Sequence, residues 1–180
     1  GDGAAHQGQV YESFNMAKLW NLPILFIIEN NHYAMGTSVA RSSSVEELYK
    51  RGIGFNIPGV KIDGMDIFAV IEEGRKAGDY VRQGNGPMIL EMDTYRYRGH
   101  SMSDPATYRT KEEVSGKKEN EDPIDNLRKF ILEEKIAAED EITKIDKQIK
   151  VQVSEIVEFA KNSPEPDESE LMTDIYTENL

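Results

Sequence analysis

A run of six residues, Pro23 to Ile28 (PILFII), constrains this chain more than any other segment. It is short, branched and continuously apolar, the pattern of a strand buried on both faces of a parallel sheet. Gln7 to Trp20 is long enough for a crossover helix leading into it, and Gly1-Asp2-Gly3-Ala4-Ala5 reads as the turn before that helix. If a strand ends at Gly1, the two strands are parallel neighbours. Asp2 and Asn31 then emerge together at the carboxyl ends, where open α/β sheets bind ligands. The plainer alternative is a tight turn at Asp2 and an ordinary loop at Asn30-Asn31.

The residue types favour a ligand. Mg2+ takes hard oxygen donors and shares them with phosphates, so a carboxylate, an amide oxygen, a backbone carbonyl and two phosphate oxygens make a coherent shell. Gly1 and Gly3 let the backbone approach a diphosphate, and the following helix offers free amides and the positive end of its dipole.

Downstream, Ser44-Val45-Glu46-Glu47 has capping-box spacing and introduces a short helix that Gly52 ends, with a loop over Gly54 to Pro58. Val60 to Asp63 alternates as a strand. Asp66 caps a helix with apolar positions Ile67, Val70, Ile71, Ala77 and Val81, which Gly84-Asn85-Gly86-Pro87 breaks before a strand at Met88 to Met92. The expected core is therefore α/β, part of a doubly wound parallel sheet. Thr94 to Thr110 is a long loop that concentrates Arg96, Arg98, His100 and Arg109, as functional or solvated loops do. Asp122-Pro123 starts a helix with the stripe Ile124, Leu127, Ile131 and Leu132. Glu139 to Lys161 forms a longer one through Ile142, Ile145, Ile149, Val153, Ile156 and Ala160, and the pair is expected as a hairpin. An extended acidic tail follows. The expected division is 1–121 for the α/β part and 122–180 for the helices and tail.

Composition narrows the function. A net charge of −12 over 180 residues disfavours nucleic acid and anionic membranes as partners. There is no cysteine, so thiolate metal sites and cysteine nucleophiles are excluded, and three dispersed histidines give little support for zinc. No run approaches the roughly 20 apolar residues of a membrane span.

The stretch GDGAAHQGQVYESFNMAKLWNLPILFIIENNHYAMGTS, continued by KRG, FNIPG, KIDGMD and YRYRGHSMSDP, closely resembles α subunits of E1 components of 2-oxo acid dehydrogenases, the pyruvate enzymes in particular. The resemblance covers nearly the whole chain. It implies a thiamine-diphosphate-binding fold in which Asp2, Asn31 and the Tyr33 carbonyl ligate Mg2+, while Gly3 and Ala4 contact the diphosphate. His100 matches a residue near the cofactor in a loop bordering the active-site channel, and is assigned to orienting or stabilising the intermediate. Ser101 matches the main regulatory phosphoserine of mitochondrial members, and Ser38 and Thr107 fall at or near two further sites.

The implied reaction is attack of the thiazolium ylid on the keto carbon of pyruvate, loss of carbon dioxide, and transfer of the acetyl unit to the lipoyl group of E2. The implied assembly is an α2β2 heterotetramer whose β subunit carries the glutamate that activates the aminopyrimidine. The implied location is the bacterial cytoplasm or the mitochondrial matrix. Because relatives carry a comparable segment before GDG, the chain is expected to be a C-terminal fragment, inactive alone. His6 stands where close relatives usually have asparagine and reads as a tolerated surface change. His32 occupies a variable position and is assigned no chemistry.

Alternatives remain open. The runner-up is the α subunit of a branched-chain 2-oxo acid or acetoin dehydrogenase. A NAD-binding domain fits poorly, because His6 stands where the third glycine of its fingerprint belongs. A non-catalytic interaction module built on the helical hairpin and tail is the third.

Overall fold

The computed structural model describes residues 1–174. A 3-10 turn at Ala4–His6 leads into α1 (Gly8–Leu19), β1 (Leu25–Asn30), a hairpin of β2 (Tyr33–Ala34) and β3 (Thr37–Ser38), and α2 (Val39–Ser42). A 3-10 helix over Leu48–Phe55 precedes β4 (Gly59–Asp63), α3 (Ile67–Arg82) and β5 (Met88–Asp93). Then come α4 (Lys111–Glu121), α5 (Pro123–Glu133), α6 (Glu139–Asn162) and a 3-10 turn at Glu168–Met172. Two compact units result, Gly1–Leu127 and Arg128–Leu180, the division falling inside α5.

The first unit is α/β. Its parallel sheet has the order β1-β5-β4, and the two-stranded hairpin is antiparallel. β5 is the strand buried on both faces: Ile89 and Leu90 point to opposite sides and both have 0% exposure. On the Ile89 face, Phe14 of α1 meets Phe26 edge-on at 4.8 Å, and Ile28, Leu48 and Ile57 complete the core. α3 covers the other face through Ala77 and Val81. The Asp66 carboxylate accepts from the Phe68 and Ala69 amides, so this cap forms as expected.

Several expectations need correction. β1 is buried on one face only, with Ile28 and Asn30 inside while Ile27 is 53% exposed. It is one of the two outer strands of the three, paired with β5 alone, and a continuous apolar run alone does not say which face is covered. The capping box at Ser44–Glu47 does not form: Glu47 makes no capping bond, and the 3-10 helix runs through Gly52 to Phe55, where Asn56 closes it at φ 56°. Gly52 serves packing instead, since a Cβ there would sit 2.6 Å from Ile89 Cδ1. The hairpin β2–β3 and helix α4 were not anticipated.

In the second unit, Arg128 of α5 pairs with Glu139 and lies 3.8 Å from Asp146, both on α6. No residue of α6 is buried, and Ile145, Ile149, Val153 and Ile156 line its exposed surface. The acidic tail is not wholly extended, for Asp167 caps the turn at Glu168–Met172; residues 175–180 lie outside the described residues. Among the described residues no helix is long and apolar enough to cross a membrane.

Candidate cofactor site

Gly3 lies against the hairpin. A Cβ on it would stand 2.7 Å from Ala34 Cβ, so only glycine allows the Gly1-Asp2-Gly3 turn to close on the residue after Tyr33. This contact brings Asp2–Gly3 and Tyr33–Ala34 together. Asp2 is 3% exposed, yet among the described residues no donor or cation meets its carboxylate. A carboxylate that no side chain engages keeps both oxygens available to a cation. The Gly3 and Ala4 amides also find no acceptor among the described residues, whereas the next three amides, of Ala5, His6 and Gln7, bond back to Gly1, Gly3 and Ala4.

The turn after β1 is built from two consecutive asparagines. Asn30 Oδ1 accepts from the His32 amide at 3.0 Å, and Asn31 Oδ1 accepts from the Tyr33 amide at 3.4 Å. Such side-chain turns tolerate a left-handed residue, and His32 takes φ 69°. The Asn31 oxygen and the Tyr33 carbonyl each retain acceptor capacity. One carboxylate, one amide oxygen and one carbonyl suit Mg2+ rather than zinc, and among the described residues no cluster of three His, Asp or Glu side chains competes with them. The residues present fit the expected group.

Strand β5 supports this turn from below. Glu91, 0% exposed, accepts from Asn30 Nδ2 at 2.8 Å and from the Tyr49 amide at 2.8 Å. Asp93 meets His32 Nε2 at 2.5 Å and Lys61 Nζ at 2.6 Å. Burial pushes the Asp93 carboxyl up, but the Lys61 hydrogen bond and the His32 charge more than reverse this and leave it below its ordinary 3.8. His32 therefore has a structural partner. Neither Glu91 nor Asp93 stood out in the apolar run, although a carboxylate inside a central strand is itself a signal. A crevice of about 580 Å3 adjoins them, lined by His32, Lys61, Asp63, Asp93 and Tyr95. Lys61 and His32 are both taken up by Asp93, so it carries no net preference for an anion.

The cationic loop is tied to the hairpin by arginines. Arg96 donates to the Tyr33 carbonyl at 3.2 Å, the Met35 carbonyl at 2.8 Å and Tyr108 Oη at 2.9 Å. Arg109, 8% exposed, donates to the carbonyls of Arg96 and Arg98 and stacks 5.2–5.7 Å from the rings of Tyr95, Tyr108 and Tyr33. Asp104 accepts from the His100 amide (2.7 Å), the Ala106 amide (2.8 Å) and Tyr108 Oη (2.8 Å), and these donors, the His100 amide first, lower its pKa to about 2. His100 is exposed, and no hydrogen bond or ion pair links its ring to Asp2 or Asn31. Ser101 and Thr107 are exposed, with Ser101 Oγ 3.0 Å from Ser103 Oγ, while Ser38 is half-buried in β3. His6 is exposed beside Arg51; partial burial, then the Arg51 charge, lower its pKa.

The model of the family described as "Dehydrogenase E1 component" matches residues 1–169. The chain belongs to the dehydrogenase E1 family. Among members of that family, it is 56% identical over 98% of its length to the pyruvate dehydrogenase E1 component subunit alpha of Rickettsia bellii, of which it covers 54%. It is 54% identical over 97% of its length to the subunit of the same name from Rhizobium meliloti, covering 50% of that protein. To the mitochondrial one of Dictyostelium discoideum it is 51% identical over its full length, covering 48%. The chain thus spans about half the length of these E1 relatives. The family is one of thiamine-diphosphate-dependent enzymes.

Proposed function

We propose that this chain supplies the metal and diphosphate half of a thiamine diphosphate site in the α subunit of pyruvate dehydrogenase E1. The activity is oxidative decarboxylation of pyruvate with transfer of the acetyl group to the lipoyl group of E2. What carries the reading is the Asp2 carboxylate, which no side chain engages among the described residues, held beside the hairpin that bears Tyr33 by the contact of Gly3 with Ala34. The names of the relatives support the pyruvate assignment.

When bound, thiamine diphosphate supplies the carbanion that adds to the keto carbon. Asp2, Asn31 and the Tyr33 carbonyl hold Mg2+ against the diphosphate, and the Gly3 and Ala4 amides donate to its oxygens. His100, presented by the loop that Arg96 and Asp104 organise, orients or stabilises the reacting species by donating a proton or a hydrogen bond. The β subunit of an α2β2 assembly supplies the remaining acid–base group. Ser101, Ser38 and Thr107 are candidate phosphorylation sites; a phosphate on Ser101 adds about −1.5 to −2 charges near Asp104 and works against the hold that Asp104 keeps on the loop. The bacterial cytoplasm is the proposed location, in keeping with the bacterial relatives.

Calorimetry on the complete polypeptide assembled with its partner subunit tests the site. Thiamine diphosphate binds only with Mg2+ present, and Asp2→Ala abolishes that binding; unchanged binding by Asp2→Ala overturns the assignment. Turnover of pyruvate in preference to acetoin and 3-methyl-2-oxobutanoate tests the substrate.

A further inference from the structure

We infer that Glu91 is a positioning residue for the metal-binding turn, acting through the side-chain amide of Asn30. This inference rests on the Mg2+ site proposed above. Glu91 sits on the central strand with 0% exposure and uses its two oxygens on different partners, Oε1 on Asn30 Nδ2 and Oε2 on the Tyr49 amide, each at 2.8 Å. An asparagine side chain presents an acceptor on one side and a donor on the other. Because a carboxylate accepts only, Glu91 fixes which end of Asn30 faces it. Oδ1 is thereby turned toward the His32 amide, 3.0 Å away. Reversing the Asn30 amide would set two donors against each other at His32 and open the first of the two side-chain turns. The second turn carries Asn31 and Tyr33, so their oxygens would lose their common frame.

Asn30 is 2% exposed and cannot exchange these partners for water. The Asn30 carbonyl is also fixed, accepting from the Thr94 amide at 2.9 Å. The turn is thus anchored by main chain at Thr94, just after β5, and by two side-chain contacts to β5, Glu91 with Asn30 and Asp93 with His32. Neither Glu91 nor Asn30 is placed among the proposed ligands, so a loss of metal affinity on substitution must travel through this pair.

The test is an exchange of donor and acceptor. In Glu91→Gln, one amide cannot satisfy both Asn30 Nδ2 and the Tyr49 amide, and in Asn30→Asp two carboxylates face each other. In the double variant Asn30→Asp with Glu91→Gln, the introduced glutamine donates its side-chain amide to one oxygen of the introduced aspartate. The glutamine oxygen accepts from the Tyr49 amide, and the second aspartate oxygen accepts from the His32 amide. Every partner is restored with the total charge unchanged. In the complete assembly, calorimetric titration of Mg2+ with thiamine diphosphate present should show each single variant weakened about tenfold or more, and the double variant within about threefold of the unsubstituted enzyme. Hydrogen exchange of the His32 amide should rise in each single variant and recover in the double.

An Ile57→Val control in the same core should lose thermal stability without losing Mg2+ affinity. If either folded single variant keeps full Mg2+ affinity, or if the double variant fails to recover or does not fold, the inference is overturned. If both single variants fail to fold, recovery of folding and Mg2+ affinity in the double variant supports it. If the unsubstituted enzyme binds thiamine diphosphate without Mg2+, the proposed metal site itself fails and takes this inference with it. That result is distinct from a loss confined to the Glu91 and Asn30 variants.

Discussion

Arg96 donates to the Tyr33 carbonyl at 3.2 Å across the gap between the cationic loop and the β2–β3 hairpin. The same guanidinium reaches the Met35 carbonyl and Tyr108 Oη, so one planar group closes three contacts that an ammonium cannot span together. Arg96→Lys is expected to lower the local opening free energy of the hairpin by about 2 kcal/mol. Hydrogen exchange should quicken in residues 33–38 and 104–108 while α3 stays protected. Unchanged exchange in the hairpin would show that Arg96 is dispensable to it.

Gly3→Ala places a methyl group 2.7 Å from Ala34 Cβ. Relieving that overlap separates the Asp2 turn from the hairpin, at a cost of about 1–3 kcal/mol. A combined Gly3→Ala and Ala34→Gly chain should recover most of the melting temperature. If Gly3→Ala alone melts like the original chain, the two turns are not in contact.

Asp104 gives the loop its acid sensitivity. Its folded-state pKa of about 2 lies below the ordinary 3.8, so its contribution is complete above the ordinary value and is lost as pH falls through about 2. Exchange protection of the His100 and Ala106 amides, corrected for intrinsic rates, should therefore be flat from neutral pH down to about 4 and decline below it. Asp104→Asn should remove most of that protection at every pH, since one carbonyl oxygen replaces two acceptors. Protection that declines already between pH 7 and 5 would point to a different group.

Arg109 is a buried cation stacked among three tyrosine rings and bonded to two carbonyls. Arg109→Met keeps the volume but strands the Arg96 and Arg98 carbonyls, each lost partner costing about 1–3 kcal/mol where water cannot replace it. Thermal melting should show the loss, and the Tyr33, Tyr95 and Tyr108 fluorescence should change with it. A variant that melts unchanged would show that water serves these carbonyls as well as the guanidinium does.

The α/β core was readable because apolar runs, glycine and proline breaks, and the Asp66 cap all pointed the same way. The two-faced burial expected of Pro23 to Ile28 instead belongs to β5, since strand position within a sheet is not encoded in one strand. Helix α4 escaped because Lys111–Glu121 has no apolar stripe and no buried residue, although Thr110 followed by Glu113 is a start signal and Thr110 Oγ1 does accept from the Glu113 amide. At the site, Asp2 and Asn31 were singled out by type and spacing. Glu91 and Asp93 act through partners distant in sequence, Arg96 stood out only as a cation of its loop and not for its bonds to the hairpin, and His32 was passed over because its partner lies on β5.

The sheet order also sets a timetable for synthesis. β5 is the last of the three strands to be made, yet it is the one to which both β1 and β4 are hydrogen-bonded. While a nascent chain ends short of Glu91, the Asn30–Tyr33 turn has neither Glu91 nor Asp93 to rest on. The proposed cofactor site would therefore be completed when long-range parallel pairing closes rather than when its own residues appear.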